Sequence, residues 1–297
     1  MKRLLNRSEE ATKSVLDPLT EQWGAHTYPK VRLADVLPID HSGIDDQSFR
    51  FALQSHFDFV VTDHDFLPLF AVEFDGPTHE DDEQKRRDSL KNQLCEKFEL
   101  PLLRINARYI GEKYRQLDLL TWFVNYWFAQ RAIDDAYSSG GIPEDAYVDP
   151  TLMMTIPGSS NNFPLWLTAD VRMAFHKFRD QGLCVDPGPS SYVGLDTAGN
   201  YRAIAYMAVT ETLGLMSETG MRWQSFPVPC SELVDAIAEH QVFEDFKFYL
   251  ENRLAIVPFN TIAERLKWYS KNCQMMMIST GTESQSLREL IPPFSLR

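Results

Sequence analysis

Residues 56–79 read HFDFVVTDHDFLPLFAVEFDGPTH, and the organisation of the chain follows from them. Two short apolar runs, FDFVV (57–61) and LFAVEF (69–74), flank the turn-forming residues Asp63, His64 and Asp65. This is the pattern of a β-hairpin with a loop of several residues. With the loop centred between Asp65 and Phe66, Asp58 falls opposite Glu73 and Phe59 opposite Val72. Period-2 alternation then places Phe57, Phe59, Val61, Phe70, Val72 and Phe74 on one face, and Asp58, Val60, Ala71, Glu73 and Asp75 on the other. The carboxylates of Asp58, Glu73 and Asp75 crowd one end of the hairpin, where like charges in register destabilise a ladder. Spacing alone leaves two readings open. Either a hard cation such as Mg²⁺ or Mn²⁺ sits among the oxygens, or the hairpin end opens to water.

Downstream, Gly76-Pro77 stops the strand, and HEDDEQKRRDSLKNQLCEKFEL (79–100) is helical in composition, with acids in its first turn where the helix dipole favours them. Leu90, Leu94 and Phe98 form its apolar stripe. Gln84, Asp88, Lys91 and Cys95 form a neighbouring stripe that either overlooks the carboxylates or is an ordinary boundary face with an Asp88–Lys91 ion pair. PLLRIN (101–106) follows as a strand returning after a helix, so the sheet is expected to be mixed. Upstream, residues 6–23 predict a helix with an Asn6/Glu9 capping box, breaking or kinking at Pro18. TYPKVRLADVLPI (27–39) predicts a strand ending at Pro38, residues 40–48 a polar loop, and FRFALQS (49–55) an approach to the hairpin.

Beyond this core, residues 109–136 read as one aromatic-rich helix (Trp122, Phe123, Tyr126, Trp127, Phe128), a core element or partner interface rather than a base-stacking platform. Gly, Pro, Ser and Asn concentrate over residues 137–164, the expected linker between a domain over 1–136 and one over 165–297. In the latter, residues 163–182 read as a helix, 190–209 as two strands joined at 196–200, and 230–254 as a helix capped by Ser231. The tail from Met275 is expected to be partly disordered. His176 and His240 fit surface or core positions on helices better than catalytic ones.

A hydrophobic content of 44% with 24% charged residues fits a globular protein. No apolar run is long enough to span a bilayer, and MKRLLNRSEEATK lacks the apolar core of a signal peptide, so a cytoplasmic protein without membrane association is expected. Cys95, Cys184, Cys230 and Cys273 show no metal-binding or disulfide spacing and read as buried, reduced thiols. A net charge of −13 counts against broad, non-specific nucleic-acid binding. Any such contact must come from a local patch, with Lys85, Arg86, Arg87 and Arg104 the candidates, although a basic triplet on a helix is often just a solvated face.

Glu9 on the first helix, Asp58, the run Glu73-Phe74-Asp75-Gly76-Pro77-Thr78-His79 and the following Gln84, Asp88 and Lys91 together resemble the PD-(D/E)XK nuclease superfamily. The resemblance is to the branch with a Glu-x-Asp-Gly third motif, which includes very-short-patch-repair-type endonucleases and uncharacterised bacterial domains. It covers the first 130 or so residues. It implies an α/β fold with a restriction-endonuclease-like αβββαβ core and mixed sheet, beside a smaller α+β domain. It implies Asp58, Glu73 and the Phe74 carbonyl as ligands of Mg²⁺ or Mn²⁺, Glu9 as support through water, and Asp75 beside them. The superfamily's strand lysine is replaced here by Asp75, so the assisting cation must come from Lys91 or His79. The implied activity is metal-dependent phosphodiester hydrolysis, in DNA rather than RNA. The alternatives are a degenerate nuclease fold serving as a binding or scaffolding module in a defence or mobile-element complex, and a hydrolase of a small substrate. Homodimerisation or a hetero-complex through residues 109–136 or the C-terminal domain is a further expectation.

Overall fold

The computed structural model describes residues 3–76, 82–153, 162–279, 281 and 284–291. It is mixed α/β and divides into two compact units, 1–159 with 224–228, and 160–223 with 229–297. The division falls within the expected linker, and the return of residues 224–228 to the first unit has no counterpart in the sequence reading.

The first unit opens with α1 (Arg7–Gln22), where Asn6 accepts from the Glu9 N–H while Glu9 accepts from the Asn6 N–H, each at 2.9 Å. Both halves of the capping box are therefore made. The helix does not break at Pro18. Buried Leu16, Leu19 and Thr20 anchor it on both sides of the proline, which offsets the one missing backbone bond. Strand β1 (His26–Arg32) ends earlier than Pro38, because Leu33 and Leu37 both bury at helical spacing across the short helix α2 (Leu33–Val36). The expected polar loop contains the start of α3 (Asp46–Gln54), capped by Asp45 accepting from the Ser48 N–H at 2.7 Å.

The hairpin is β2 (His56–Thr62) and β3 (Pro68–Phe74), and its register pairs Phe59 with Val72, Val60 with Ala71 and Val61 with Phe70. Asp63 Oδ1 accepts from the Asp65 and Leu67 N–H groups, both at 2.9 Å, which fixes the loop. Then come α4 (Asp82–Lys97) and β4 (Leu102–Ile105), the latter parallel to β3. The sheet is mixed, in the order β1-β2-β3-β4. The expected single helix over 109–136 is instead α5 (Ala107–Gly111), a small hairpin of β5 (Lys113–Tyr114) and β6 (Leu117–Asp118), and α6 (Leu119–Ser138), followed by α7 (Pro150–Met153). Positive φ at Arg115 and Gln116 makes the turn that separates the two helices.

One sheet face buries Val60, Ala71 and Leu102 against Ala52, Leu94 and Cys95. Phe57 joins this cluster rather than the face of Phe59. The β2–β3 ladder runs only as far as Phe59, beyond which the Asp58 carboxylate takes the Phe74 N–H at 2.9 Å, while β2 stays paired with β1 as far as His56. On the other face, the Phe70 ring lies 4.9 Å from Trp127, 6.0 Å from Phe128 and 5.3 Å from Phe226. The aromatic stripe of α6 is core.

The second unit contains α8 (Val171–Asp180), β7 (Ser190–Asp196), β8 (Tyr201–Ala208), β9 (Leu213–Met221), α9 (Cys230–Leu250), β10 (Val257–Pro258), α10 (Phe259–Asn272), β11 (Cys273–Ser279) and α11 (Gln285–Arg288). Its sheet is antiparallel, ordered β10-β9-β8-β7-β11. Two expectations are corrected: the helix expected over 163–182 begins at Val171, and α9 starts after Pro229 without a side-chain cap from Ser231. Within the tail from Met275 the methionine run pairs as β11 with β7, and residues 280, 282–283 and 292–297 lie outside the described ones. All four cysteines are buried and free. Among the described residues, no helix is long and apolar enough to cross a membrane.

On α9, Glu239 lies buried one turn from Asp235, and burial together with that neighbour raises its carboxyl to about 7. An acid held neutral in the fold but ionised when unfolded contributes its full stability below about pH 4.5, and that contribution is lost as pH rises to about 7. Glu239→Gln is therefore expected to be neutral at pH 4.5 and to stabilise the protein by on the order of 2–3 kcal/mol at pH 8. Urea melts at the two pH values check this.

Candidate functional site

The site forms along one row of the first sheet. Pro29 pairs with Phe59 and Val31 with Phe57, which puts Lys30 across from Asp58. Continuing the Phe59–Val72 register puts Asp58 across from Glu73, and Glu73 pairs in turn with Arg104. Four neighbouring strands thus present Lys30, Asp58, Glu73 and Arg104 side by side. A pair of adjacent acids lies between two cations.

Each acid is held by more than one element. Asp58 Oδ2 accepts from the Phe74 N–H at 2.9 Å, and its Oδ1 lies 2.7 Å from Lys30 Nζ. The same ammonium is 2.6 Å from Glu9 Oε1, so the first turn of α1 reaches the row through the capping-box glutamate. Glu73 Oε1 is 2.7 Å from Lys91 Nζ and 3.3 Å from the Asp58 amide nitrogen, which donates to it. Lys91 also donates to the His56 carbonyl at 2.9 Å and lies 5.6 Å above the Phe57 ring. Asp88 and Lys91 do not pair with each other: α4 sends Lys91 to Glu73 and Asp88 to Arg104.

Three carboxylates, Glu9, Asp58 and Glu73, therefore share two ammonium groups, Lys30 and Lys91. The Glu73–Lys91 pair is nearly enclosed, with side chains 11% and 10% exposed, whereas Lys30 is 38% exposed. Burial pushes the Glu73 carboxyl upward, Lys91 pulls it back and Asp58 adds to the rise, with a net upward shift. Burial would lower the Lys30 ammonium, but its hydrogen bonds to Asp58 and Glu9 carry it above the usual lysine range. Burial likewise pushes the neighbouring Cys95 thiol up to about 12, which rules it out as a nucleophile near neutral pH.

Asp75 turns away from this cluster toward Arg104, whose Nη1 lies 3.1 Å from Asp75 and 3.3 Å from Asp88. Arg104 also donates to Asn92 at 2.9 and 3.1 Å, and is only 5% exposed. It is a buried organiser of β3, β4 and α4, not part of a surface patch. Its backbone exchanges hydrogen bonds with Gln224 at 2.9 and 3.0 Å, and a single sequence gave no signal for that partner. Lys85, Arg86 and Arg87 are exposed on α4, and Gln84 is 3.2 Å from Asp88. A pocket of about 100 Å³ opens beside Lys91, lined by Phe51, His56, Gln84, Arg87 and Asp88, with Arg87 5.9 Å from the Phe51 ring centre. His79 lies outside the described residues.

Lys30 was missing from the sequence reading. Its signal was the phase of TYPKVR against FDFVV, which needs the β1–β2 register to be decoded.

The donor chemistry at Asp58 and Glu73 is all oxygen, which suits Mg²⁺ or Mn²⁺ rather than a thiophilic metal. Among the described residues no group of three or more His, Cys, Asp or Glu side chains is placed to hold an ion. Two carboxylates are within what Mg²⁺ requires, since it usually keeps several waters. In donor chemistry Asp58 and Glu73 suit such an ion, although in this structure Asp58 Oδ1 pairs with Lys30 and Glu73 Oε1 with Lys91.

Residues 1–120 match a family described as "Protein of unknown function (DUF2726)". No curated protein and no solved structure matches the chain.

Proposed function

We propose that the first unit is a restriction-endonuclease-like αβββαβ domain that hydrolyses phosphodiester bonds in DNA with a divalent ion at Asp58 and Glu73. The observation that carries this reading is the pair of adjacent strand acids, fifteen positions apart in the chain and linked through the Asp58 backbone, beside a helix-borne lysine. The order α1, β1, then after the short helices α2 and α3 the antiparallel β2 and β3, then α4 and the parallel β4, supports it as well. Asp58, Glu73 and the Phe74 carbonyl would hold Mg²⁺ or Mn²⁺, which when bound acidifies a water and stabilises charge on a phosphate oxygen.

The chain's own residues supply the positioning. Lys91, held by the His56 carbonyl, fixes the Glu73 carboxylate in place. The Phe74 N–H fixes one Asp58 oxygen and leaves the other on the side of Lys30. Arg87 and the exposed Lys85 and Arg86 give α4 a cationic face toward a phosphate backbone, offsetting locally a chain charge of −13. Glu9 and Gln84 are supporting groups, His79 is the second candidate for proton handling, and the cytoplasm is the proposed compartment.

Supercoiled plasmid, single-stranded DNA and RNA incubated with the full chain in Mn²⁺ test the reading. Cleavage of DNA by wild type and its loss in Asp58→Ala, by about 10²-fold or more, are expected. Mn²⁺ binding without cleavage of any polymer would replace the nuclease by a binding module on the same fold. Turnover of small phosphoesters alone would replace it by a small-substrate hydrolase.

A further inference from the structure

Lys30 combines features that a structural ion pair does not need. It sits opposite Asp58 on the neighbouring strand, its ammonium contacts both Asp58 (2.7 Å) and Glu9 (2.6 Å), and its backbone has φ +55°, a region that residues other than glycine rarely adopt. It is also far more exposed than Lys91, at 38% against 10%. Lys91 is enclosed between Glu73, the His56 carbonyl and the Phe57 ring, so reaching outward would leave Glu73 buried without its counter-ion. Lys30 carries less of this penalty: its own side chain borders solvent, Asp58 is 18% exposed, and Glu9, although only 8% exposed, keeps two hydrogen bonds from Asn6.

Resting on the nuclease reading, we infer that Lys30 is a tethered cation occupying the metal's place on Asp58, displaced from that oxygen when a divalent ion binds, and then turned onto the substrate phosphate. The Asp58 oxygen that Lys30 covers is the one not engaged by the Phe74 N–H, and so the one open to a metal. An ammonium and a divalent ion cannot both hold that oxygen at close range, because their mutual repulsion is strong where water is partly excluded. Once released, Lys30 stays beside Glu9 and within a side chain's reach of anything bound to Asp58. A phosphodiester is the anion this position would meet. The strand lysine absent from position 75 is thus replaced functionally from β1, while Lys91 serves as the fixed counter-ion of Glu73.

The sign of the effect on metal affinity separates this role from a structural one. If Lys30 merely braced the acids, its removal would loosen them and weaken metal binding. If it competes with the metal, its removal strengthens binding. Calorimetric titration of Mn²⁺ into full-length wild type, Lys30→Met and Lys30→Gln, with thermal melts to confirm folding, is expected to give about three- to tenfold tighter binding in both variants. DNA cleavage by the same variants is expected to fall about 10²-fold, with Lys30→Arg recovering part of it. Unchanged or weaker Mn²⁺ binding, or wild-type cleavage by Lys30→Met, would overturn the inference. Failure of the nuclease reading is separately visible: wild type then binds Mn²⁺ and cuts nothing, while the displacement of Lys30 is still read from the titrations.

Discussion

Glu73→Gln is expected to lower Mn²⁺-dependent cleavage of plasmid DNA by about 10²–10³-fold. The substitution keeps the shape of the side chain but removes the charge that, with Asp58, would hold the proposed hard cation. It also leaves the Lys91 ammonium, 10% exposed, facing a neutral amide. Loss of fold must therefore be separated from loss of chemistry. A second change, Lys91→Met, removes the stranded charge and places an apolar chain over the Phe57 ring, where Lys91 now lies at 5.6 Å. Glu73→Gln/Lys91→Met is expected to melt closer to wild type than Glu73→Gln alone and to remain inactive. Recovery of cleavage in the double variant would mean that Glu73 acts only through the fold.

Arg104→Met is expected to cost about 3–5 kcal/mol of stability, the largest effect on folding among the charged residues of this unit. The guanidinium joins Asp75, Asp88 and Asn92, and the two carboxylates are only 16% and 15% exposed. Without it, both acids face one another with little water to screen them. Lysine is no substitute, because one ammonium cannot reproduce a fork that donates in several directions at once. Arg104→Lys is therefore expected to recover less than half of the loss in a urea titration, and Arg104→Met/Asp75→Asn more of it. A small effect of Arg104→Met on stability would show that the Asp75 and Asp88 contacts contribute nothing net.

What the sequence discloses follows from how local each signal is. The hairpin was legible because alternation, turn chemistry and two apolar runs all lie within two dozen residues, and they set Phe59 against Val72. The capping box at Asn6 and Glu9 is equally local. The stripe Gln84, Asp88, Lys91 was visible as a helix face, but its partners were not, because Glu73 and Arg104 are chosen by the packing of α4 on β3 and β4. Lys30 escaped because its role depends on the β1–β2 register, which no turn specifies when two helices lie between the strands. Phe57 joins the cluster of Val60 and Ala71 rather than the face of Phe59, which simple alternation along β2 does not anticipate. In the second unit, α10 has no side-chain cap to mark its start, and the strand of the methionine run is defined by its pairing with β7.

The proposed nuclease requires Asp58 and Glu73 to act together as the seat of one divalent ion. Titration of Mn²⁺ into the full-length protein, followed by calorimetry or by the loss of free Mn²⁺ signal in electron paramagnetic resonance, tests this most directly. One ion per chain is expected in wild type, with affinity falling at least about tenfold in Asp58→Asn and in Glu73→Gln. Folded protein that takes up no Mn²⁺, or binding unaffected by either substitution, would contradict it.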